Sequence, residues 1–336
     1  MPSKNSYHIS IDSVLDSFLE QRLKHRIKQS TGPLKGLGFL GEVAIRLGLI
    51  KKSLKPDISH TVFLLFAADH GIADAHLIPD PQDATYQRVQ LFLNGKHKAF
   101  KAAEKEGIIA RLVDIGINYS LEKNFNYWLH TGNRLIDRKI SFGTNNFLQQ
   151  TAMRTDDCLE AIETGRQLVK TEKERGCECV IIAQLAYASG LSCMALYAGF
   201  NNNRICSSGK FDKNLLERLE KAIKRDPITH DVITLLSLYG SLEITSAIGA
   251  MLEAARLRLP FITENQTGLM ALYVASKINV NVLQYAFIAG YEDTALSQKL
   301  VEELEIGPSK KKKANTEGVL ALAYFKELEK AINLFK

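Results

Sequence analysis

Residues Phe66–Gly95, which read FAADHGIADAHLIPDPQDATYQRVQLFLNG, decide the fold of this chain. They begin inside a continuous apolar run, Thr61–Ala68, that leads directly into Asp69, His70 and Gly71. A run that ends in polar residues and a glycine is typical of a central strand in a parallel sheet. Ligands of open α/β sheets bind beyond the carboxyl ends of the strands, so this polar cluster marks the expected site.

The second half of the same stretch predicts a loop followed by a helix. The loop contains Pro79 and Pro81, and the helix is expected over Ala84–Leu93. This helix carries Gln87 among its polar residues and Phe92 among its apolar ones. Polar groups beside an apolar wall suit a pocket for a flat, mostly apolar molecule.

Along the rest of the chain, strand-like and helix-like segments alternate, which predicts a parallel sheet with helices on both faces. The further strands are expected at Ile108–Ile115, Cys179–Gln184, Pro260–Thr263 and Tyr285–Ala289. The other helices are expected at Ile11–Gln29, Leu37–Leu49, Lys96–Glu106, Thr155–Arg175, Gly190–Ala198, Lys213–Lys224, Leu242–Arg258, Gly268–Lys277 and Val319–Asn333. All five strands should be parallel neighbours in one sheet.

Composition and charge fit an enzyme better than a nucleic-acid-binding protein. The chain has 336 residues and 46% hydrophobic content, enough for one large domain or a large and a small one. Its 43 basic and 37 acidic residues give a net charge of +6, too mild to indicate nucleic acid. The run Lys310–Lys313 has two interpretations, a solvated loop or a rim that attracts anions.

The cysteines and the N-terminus indicate a reduced, cytoplasmic protein without a membrane partner. The five cysteines are an odd number, and only Cys177 and Cys179 lie close together, which favours free thiols over a metal site. Residues Met1–Ser13 lack the apolar core of a signal peptide. No apolar run approaches the roughly 20 residues that span a bilayer.

Several motifs resemble one enzyme family. FAADHG, then PQ-x-x-T-x-Q-x-V and F-x-x-G, resemble nicotinate-nucleotide:dimethylbenzimidazole phosphoribosyltransferases, which make the lower-ligand nucleotide of cobalamin. Further similar segments are PLKGLGFLGEVA at Pro33–Ala44, LVDIGIN at Leu112–Asn118, ISFGTNNF…AM at Ile140–Met153, and the helix Gly240–Pro260. TEG at Thr316–Gly318 resembles the G-E-G that carries the family's catalytic glutamate.

The resemblance implies a fold, a reaction and an assembly. The fold is a Rossmann-like three-layer α/β domain over residues 33–318, with a small helical domain from residues 1–32 and 319–336. The reaction moves the phosphoribosyl group of nicotinate mononucleotide to 5,6-dimethylbenzimidazole, giving α-ribazole 5′-phosphate and nicotinate. The resemblance further implies a homodimer, small-molecule substrates and no cofactor. The wide apolar face of Leu242–Leu257 also favours a dimer, since one side of a monomer would not bury it.

Glu317 occupies the position of the family's catalytic base. A carboxylate suits this role because the reaction needs a group that accepts the azole N–H proton. The other interpretation of Glu317 is a first-turn helix glutamate stabilised by the helix dipole. The predicted base-binding residues are Gln87, Asp69, His70 and Pro81. The resemblance implies that Gln87 faces the base, and the other interpretation of Gln87 is a solvated helix residue. Asp69 and His70 read either as an oriented pair or as residues that shape the turn.

The nucleotide half of the predicted site departs from the family. Gln184 stands where the family has an acid, while Ala186 and Ala188 replace glycines of a phosphate cradle. Alanine accepts a positive φ only at a cost, so a narrowed cradle is expected. The predicted nucleotide-binding residues are Gln184, Ser189, Gly190, Ser207, Ser208, Lys210, Arg218 and Tyr291.

Three hypotheses therefore remain open. The chain performs the family reaction with a remodelled phosphate site, or it performs a related transfer with another base or ribose donor. The third hypothesis is a degenerate non-catalytic paralogue that binds a base or nucleotide.

Overall fold

The computed structural model describes residues 7–31, 36–75, 84–121, 134–202, 205–206, 213–226, 228–305 and 317–336. Its strands are β1 Thr61–Ala68, β2 Ile109–Gly116, β3 Leu135–Asp137, β4 Cys179–Leu185, β5 Phe261–Thr263 and β6 Ala286–Ile288. They form one sheet in the order β3-β2-β1-β4-β5-β6, and each neighbouring pair is parallel. The five predicted strands are confirmed as neighbours in one sheet. Strand β3 was not predicted, because only two of its three residues, Leu135 and Ile136, are apolar and charged residues flank them.

The helices of the described residues are α1 Ser17–Thr31, α2 Gly38–Lys51, α3 Ala84–Leu93, α4 Lys98–Lys105, α5 Thr155–Glu174, α6 Ser189–Phe200, α7 Lys213–Arg225, α8 Val232–Tyr239, α9 Leu242–Arg256, α10 Asn265–Ile278, α11 Ala295–Glu303 and α12 Val319–Asn333. Ten of these were predicted within a few residues, apart from the start of α1, whereas α8 and α11 were missed. No described helix has both the length and the apolar composition that crossing a membrane requires.

The position of β1 locates the site. All eight residues of β1 are buried, and it lies between β2 and β4. The chain builds the sheet outwards from β1 to β3 on one side and from β4 to β6 on the other. The crevice at such a reversal of strand order is where doubly wound sheets bind their ligands. The carboxyl ends of β1 and β4 are therefore the expected edge.

Helix α9 is buried along its length, which corrects one expectation. Every residue from Leu242 to Ala255 is buried within the single chain. Two glycines make this possible: a Cβ on Gly165 of α5 would lie 1.9 Å from the carbonyl oxygen of Ser246, and one on Gly249 would lie 1.9 Å from that of Ile162. The two helices thus touch backbone to backbone. The prediction that a dimer is needed to bury the apolar face of α9 is therefore wrong.

The first helix begins later than predicted. Helix α1 begins at Ser17, where the Asp16 side chain accepts a hydrogen bond from the N–H of Leu19 at 2.8 Å. Upstream, the amide groups of Asn279 and Asn281 donate to the carbonyl oxygens of Ile9 and Ile11, each at 2.9 Å. The helix predicted from Ile11 is wrong there. Asn281 and the Tyr285 hydroxyl bond the carbonyl oxygens of Ile11 and Asp12, which such a helix would use.

The two terminal regions do meet, as the resemblance implied. The aromatic rings of Phe39 on α2 and Tyr324 on α12 lie 6.2 Å apart, and Arg26 of α1 donates to the carbonyl oxygen of Phe335 at 3.2 Å. Helix α12 also contacts α4, β4 and β5. Because the last helix packs on both the terminal helices and the sheet, the boundaries of a separate small domain stay a prediction.

Candidate active site

Asp69 fixes the first turn after β1. Its carboxylate accepts the N–H of Asn118 at 2.7 Å and a hydrogen bond from the Thr85 hydroxyl. Burial raises the pKa of Asp69, although both hydrogen bonds oppose that change. The Thr85 hydroxyl also accepts the N–H of Tyr187 at 3.3 Å. Asp69 and Thr85 therefore join the ends of β1, β2 and β4 to the start of α3.

His70 turns the other way, into the protein. Its Nε2 lies 2.8 Å from Oε1 of Glu243, with side chains only 2% and 0% exposed. The Ser241 hydroxyl donates to the same oxygen at 2.7 Å. Burial alone lowers the pKa of His70, but the charge and hydrogen bond of Glu243 outweigh it and the pKa is raised. Asp69 and His70 are thus not a mutually oriented pair, since each has its own partner.

Gly71 allows a second loop to close over this turn. Its N–H donates to the carbonyl oxygen of Thr144 at 3.0 Å, and a Cβ at this position would lie 2.4 Å from that oxygen. The segment Ile140–Phe147 therefore packs directly on Asp69–Gly71. Any side chain at residue 71 would push the two apart.

Glu317 lies between two donors from different helices. Its Oε1 is 2.9 Å from Nη1 of Arg88, which belongs to α3, and its Oε2 is 2.6 Å from Nε2 of His97 at the start of α4. Its side chain is 13% exposed. The backbone of Glu317 has φ +48°, a left-handed conformation that non-glycine residues adopt at a cost.

Glu264 anchors the chain beside Glu317. This fully buried residue follows β5, and its carboxylate accepts the N–H of Gly318 at 2.7 Å and that of Ala321 at 2.6 Å. A carboxylate is stabilised at the N-terminus of a helix such as α12 by the exposed N–H groups and the helix dipole. We did not predict this residue. The available signal was an acid directly after a predicted strand.

Gln184 of β4 is buried without hydrogen-bond partners among the described residues. Both its side-chain oxygen and its nitrogen are unpaired, and so is the hydroxyl of Thr263 on β5. A Cβ at Gly268 would meet both, at 2.3 Å from the Thr263 hydroxyl and 3.7 Å from Oε1 of Gln184. A buried unpaired polar group costs about 1–3 kcal/mol, so such groups call for an explanation such as a ligand.

Ala188 adopts the conformation that its sequence position made doubtful. It has φ +71° and precedes Ser189, the first residue of α6. Ala186 has no positive φ. Ala188 therefore takes the glycine conformation at a cost of about 1–2 kcal/mol, as the sequence led us to expect. Whether the cradle is narrowed stays a prediction. Ser189 is buried, and the Thr267 hydroxyl lies 3.4 Å from its own.

Aromatic side chains line a cleft of about 250 Å³ next to Asp69. Tyr119, Phe142 and Tyr187 are among its lining residues, and the ring of Tyr119 stacks on Tyr86 with centroids 4.4 Å apart. A larger groove of about 600 Å³ lies between β3 and α5. Two of its arginines, Arg111 and Arg175, pair with Glu172, at 3.3 and 2.9 Å. The aromatic cleft, not this groove, therefore adjoins the predicted site.

Comparisons with known proteins identify the family of this chain. The family described as Phosphoribosyltransferase matches residues 13–336. The chain belongs to this family. The nicotinate-nucleotide–dimethylbenzimidazole phosphoribosyltransferase of Dechloromonas aromatica is 29% identical over 320 residues, covering 90% of this chain and 89% of that protein. The protein of the same name from Aromatoleum aromaticum is 30% identical over 285 residues, covering 82% and 80%.

A solved structure of this phosphoribosyltransferase family supports the fold. The crystal structure of the protein of the same name from Thermus thermophilus matches with a TM-score of 0.84 at 22% identity, covering 96% of each chain. Helices and parallel strands follow one another in the way the resemblance implied. The predicted Rossmann-like α/β class is confirmed.

The remaining predicted site residues are spread out. Gln87 is exposed on α3, Arg218 is half-buried on α7, and Gly190 is half-buried in the first turn of α6. Tyr291 is buried just after β6, and the carbonyl oxygen of its neighbour Gly290 accepts the N–H of Asn265 at 2.8 Å. The other predicted positions lie outside the described residues: Pro81, Ser207, Ser208, Lys210 and Lys310–Lys313.

Proposed function

We propose that this phosphoribosyltransferase moves the phosphoribosyl group of nicotinate mononucleotide to 5,6-dimethylbenzimidazole, giving α-ribazole 5′-phosphate for the nucleotide loop of cobalamin. The observation that carries the proposal is the Glu317 carboxylate, which Arg88 and His97 hold at the motif position of the family's catalytic base. The relatives described above bear the name of this activity.

The proposed chemistry needs a base and an aligned nucleophile. A benzimidazole nitrogen forms a bond to C1′ of the ribose, while the bond from C1′ to the nicotinate nitrogen breaks and its electron pair returns to that nitrogen. The leaving group is already a pyridinium, so no acid is required. Glu317 accepts the proton of the azole N–H, and the cleft lined by Tyr119, Phe142 and Tyr187 holds flat rings in line for attack.

The nucleotide is proposed to lie over β4 and β5. The unpaired amide of Gln184 and hydroxyl of Thr263 are suited to bind ribose hydroxyl groups, because an amide and a hydroxyl each both donate and accept. Ser189, Gly190, Arg218 and Tyr291, with Ser207, Ser208 and Lys210, remain proposed contacts for the rest of the nucleotide. Gln87, Asp69 and Pro81 remain proposed for the base side, and His70, whose ring bonds Glu243, is proposed to shape the turn on that side.

The two other hypotheses are weaker. A non-catalytic paralogue has no need for a glutamate fixed by two donors and by an anchored backbone, and such a left-handed residue is costly to keep. A transferase that uses another azole, purine or ribose donor would share the general base Glu317 and the same cleft. Product identity separates it from the main proposal.

We also propose a homodimer in the cytoplasm. Leu15 lies just before α1 and Phe18 lies in its first turn, and they are 79% and 69% exposed. Such exposed apolar side chains are suited to pack against a second copy of the chain. The five cysteines are free, as expected in a reducing compartment. Light scattering at micromolar concentration should give twice the monomer mass.

The deciding experiment mixes the purified protein with nicotinate mononucleotide and dimethylbenzimidazole. Liquid chromatography with mass spectrometry should detect α-ribazole 5′-phosphate and an equal amount of nicotinate, with neither formed when the benzimidazole is left out. Nicotinate release with a different azole or purine, but not with dimethylbenzimidazole, would favour the related transferase. No product with any base would contradict the proposal.

A further inference from the structure

Arg88 and His97 approach Glu317 from two separate elements. Arg88 lies on α3 one turn after Thr85, the residue that binds Asp69. Helix α3 therefore contacts both Asp69 and Glu317. His97 precedes α4, and its Nδ1 accepts the N–H of Ala99 at 3.2 Å. The sequence motifs quoted for the family include neither residue.

The hydrogen bonds define the state of the His97 ring. Because Nδ1 accepts a backbone N–H, the ring proton lies on Nε2, and Nε2 donates to Oε2 of Glu317 at 2.6 Å. His97 is thus an oriented donor and not a competing base. The ring of Phe92 lies 5.8 Å from the imidazole and packs beside it.

Each oxygen of Glu317 receives one of these donors. Because the two donors come from separate elements, they fix the orientation of the carboxylate plane. Glu264 is another charged group near this backbone, and its carboxylate accepts the N–H groups of Gly318 and Ala321.

We propose that Arg88 and His97 are positioning residues that orient the carboxylate of Glu317 towards the azole N–H. This inference rests on the proposed function, in which Glu317 is the base. The competing explanation is structural: the two residues simply tie the start of α12 to α3 and α4. Glu264 already anchors that start, so their loss should leave the fold intact.

Two substitutions of His97 separate the effect of its bond to Glu317 from that of its N-cap bond to Ala99. His97→Gln keeps a donor that reaches Glu317 but removes the Nδ1 acceptor, whereas His97→Asn keeps an acceptor for Ala99 and loses the donor to Glu317. Positioning predicts that His97→Asn lowers kcat by about 10- to 100-fold and His97→Gln by much less, with KM for nicotinate mononucleotide nearly unchanged. If His97 acts only as the N-cap residue of α4, His97→Gln should lower kcat more than His97→Asn does.

Arg88 is tested in the same way, with Arg88→Met against Arg88→Lys. Lys101→Met, at an exposed position of α4, is the matched control for the loss of one positive charge and should keep wild-type kcat. The decisive measurement is a double-mutant cycle with Glu317→Gln. If the two residues act through Glu317, His97→Asn and Arg88→Met should cause little further loss of kcat in that background.

The outcomes are distinct. An active wild type whose His97→Asn and Arg88→Met variants keep wild-type kcat overturns the inference alone. The inference is also overturned if the kcat losses of these variants multiply fully with the kcat loss of Glu317→Gln. A wild type that forms no product overturns the proposed function and this inference with it.

Discussion

The carboxylate of Glu264 binds the N–H of Gly318, a residue 54 positions later in the chain, at 2.7 Å. A second bond to Ala321 uses its other oxygen, so one buried side chain satisfies two donors at the start of α12. Glu317 is the residue before Gly318, and the end of β5 therefore sets the position of the proposed base. The Glu264 side chain thus links the sheet to the segment that carries the proposed base, Glu317.

Replacing Glu264 by Gln should weaken both the fold and turnover. The amide can accept only one of the two N–H groups and turns its own NH2 towards the other, so a loss of about 2–3 kcal/mol in unfolding free energy is expected. Urea unfolding measures this loss, and kcat should fall because Glu317 is displaced. Glu329→Gln, at an exposed position of α12, should change stability by less than about 0.5 kcal/mol. Equal stability of the two variants would contradict the anchoring role.

Glu317→Gln should keep the fold and the affinity for dimethylbenzimidazole but remove most turnover. Loss of a general base typically lowers the rate by about 10²–10⁴-fold. Circular dichroism and calorimetry check the fold and the binding, and product formation checks kcat. Partial recovery at high pH, where the azole ionises without help, supports the role. Turnover close to wild type would show that the proton goes elsewhere, and Asp69 would be tested next.

Gln184→Leu should separate stability from function. The wild-type amide is buried with neither polar atom paired, so an apolar side chain of similar size should keep the unfolding free energy or raise it by about 1–2 kcal/mol. The same change should raise KM for nicotinate mononucleotide about 10-fold or more while benzimidazole affinity stays unchanged. A large loss of stability would mean that Gln184 is part of the structural network rather than a ligand-binding group.

Ala188 gives a test of backbone strain. Because its φ is +71°, Ala188→Gly removes the left-handed penalty but adds flexibility to the unfolded chain, so its unfolding free energy should stay within about 1 kcal/mol of wild type. Ala188→Val should destabilise by more than Ala188→Gly does, since a β-branched residue fits this region poorly. Nicotinate mononucleotide affinity should be unchanged in Ala188→Gly. A clear gain in affinity would mean that alanine does narrow the cradle.

The His70–Glu243 pair predicts a pH dependence of stability. The pKa of His70 is raised above its unfolded value near 6.5, with the nearby carboxylates of Glu243 and Asp69 favouring the charged ring. Its contribution is therefore fully present below about pH 6.5 and is lost as the pH rises through the higher folded pKa. The difference in unfolding free energy between wild type and the double variant His70→Gln, Glu243→Gln should be larger at pH 6 than at pH 9. A constant difference would indicate an uncharged pair.

The sequence by itself determined five of the six described strands and most of the described helices. Thr61–Ala68 and Cys179–Leu185 read as buried strands because a continuous apolar run is a local property of the chain. The motif around Glu317 likewise pointed to the family, whose match covers residues 13–336.

Only the tertiary structure decided which polar groups meet. Glu264 with Gly318, His70 with Glu243 and Arg88 with Glu317 are separated by 54, 173 and 229 positions. No periodicity encodes such pairs, because parallel strands bring distant segments to one edge of the sheet and burial then makes each polar group take the partner it finds there. The N-terminal segment shows the same effect. Its sequence from Ile11 predicts a helix, but the side chains of Asn279 and Asn281 bind the carbonyl oxygens of Ile9 and Ile11.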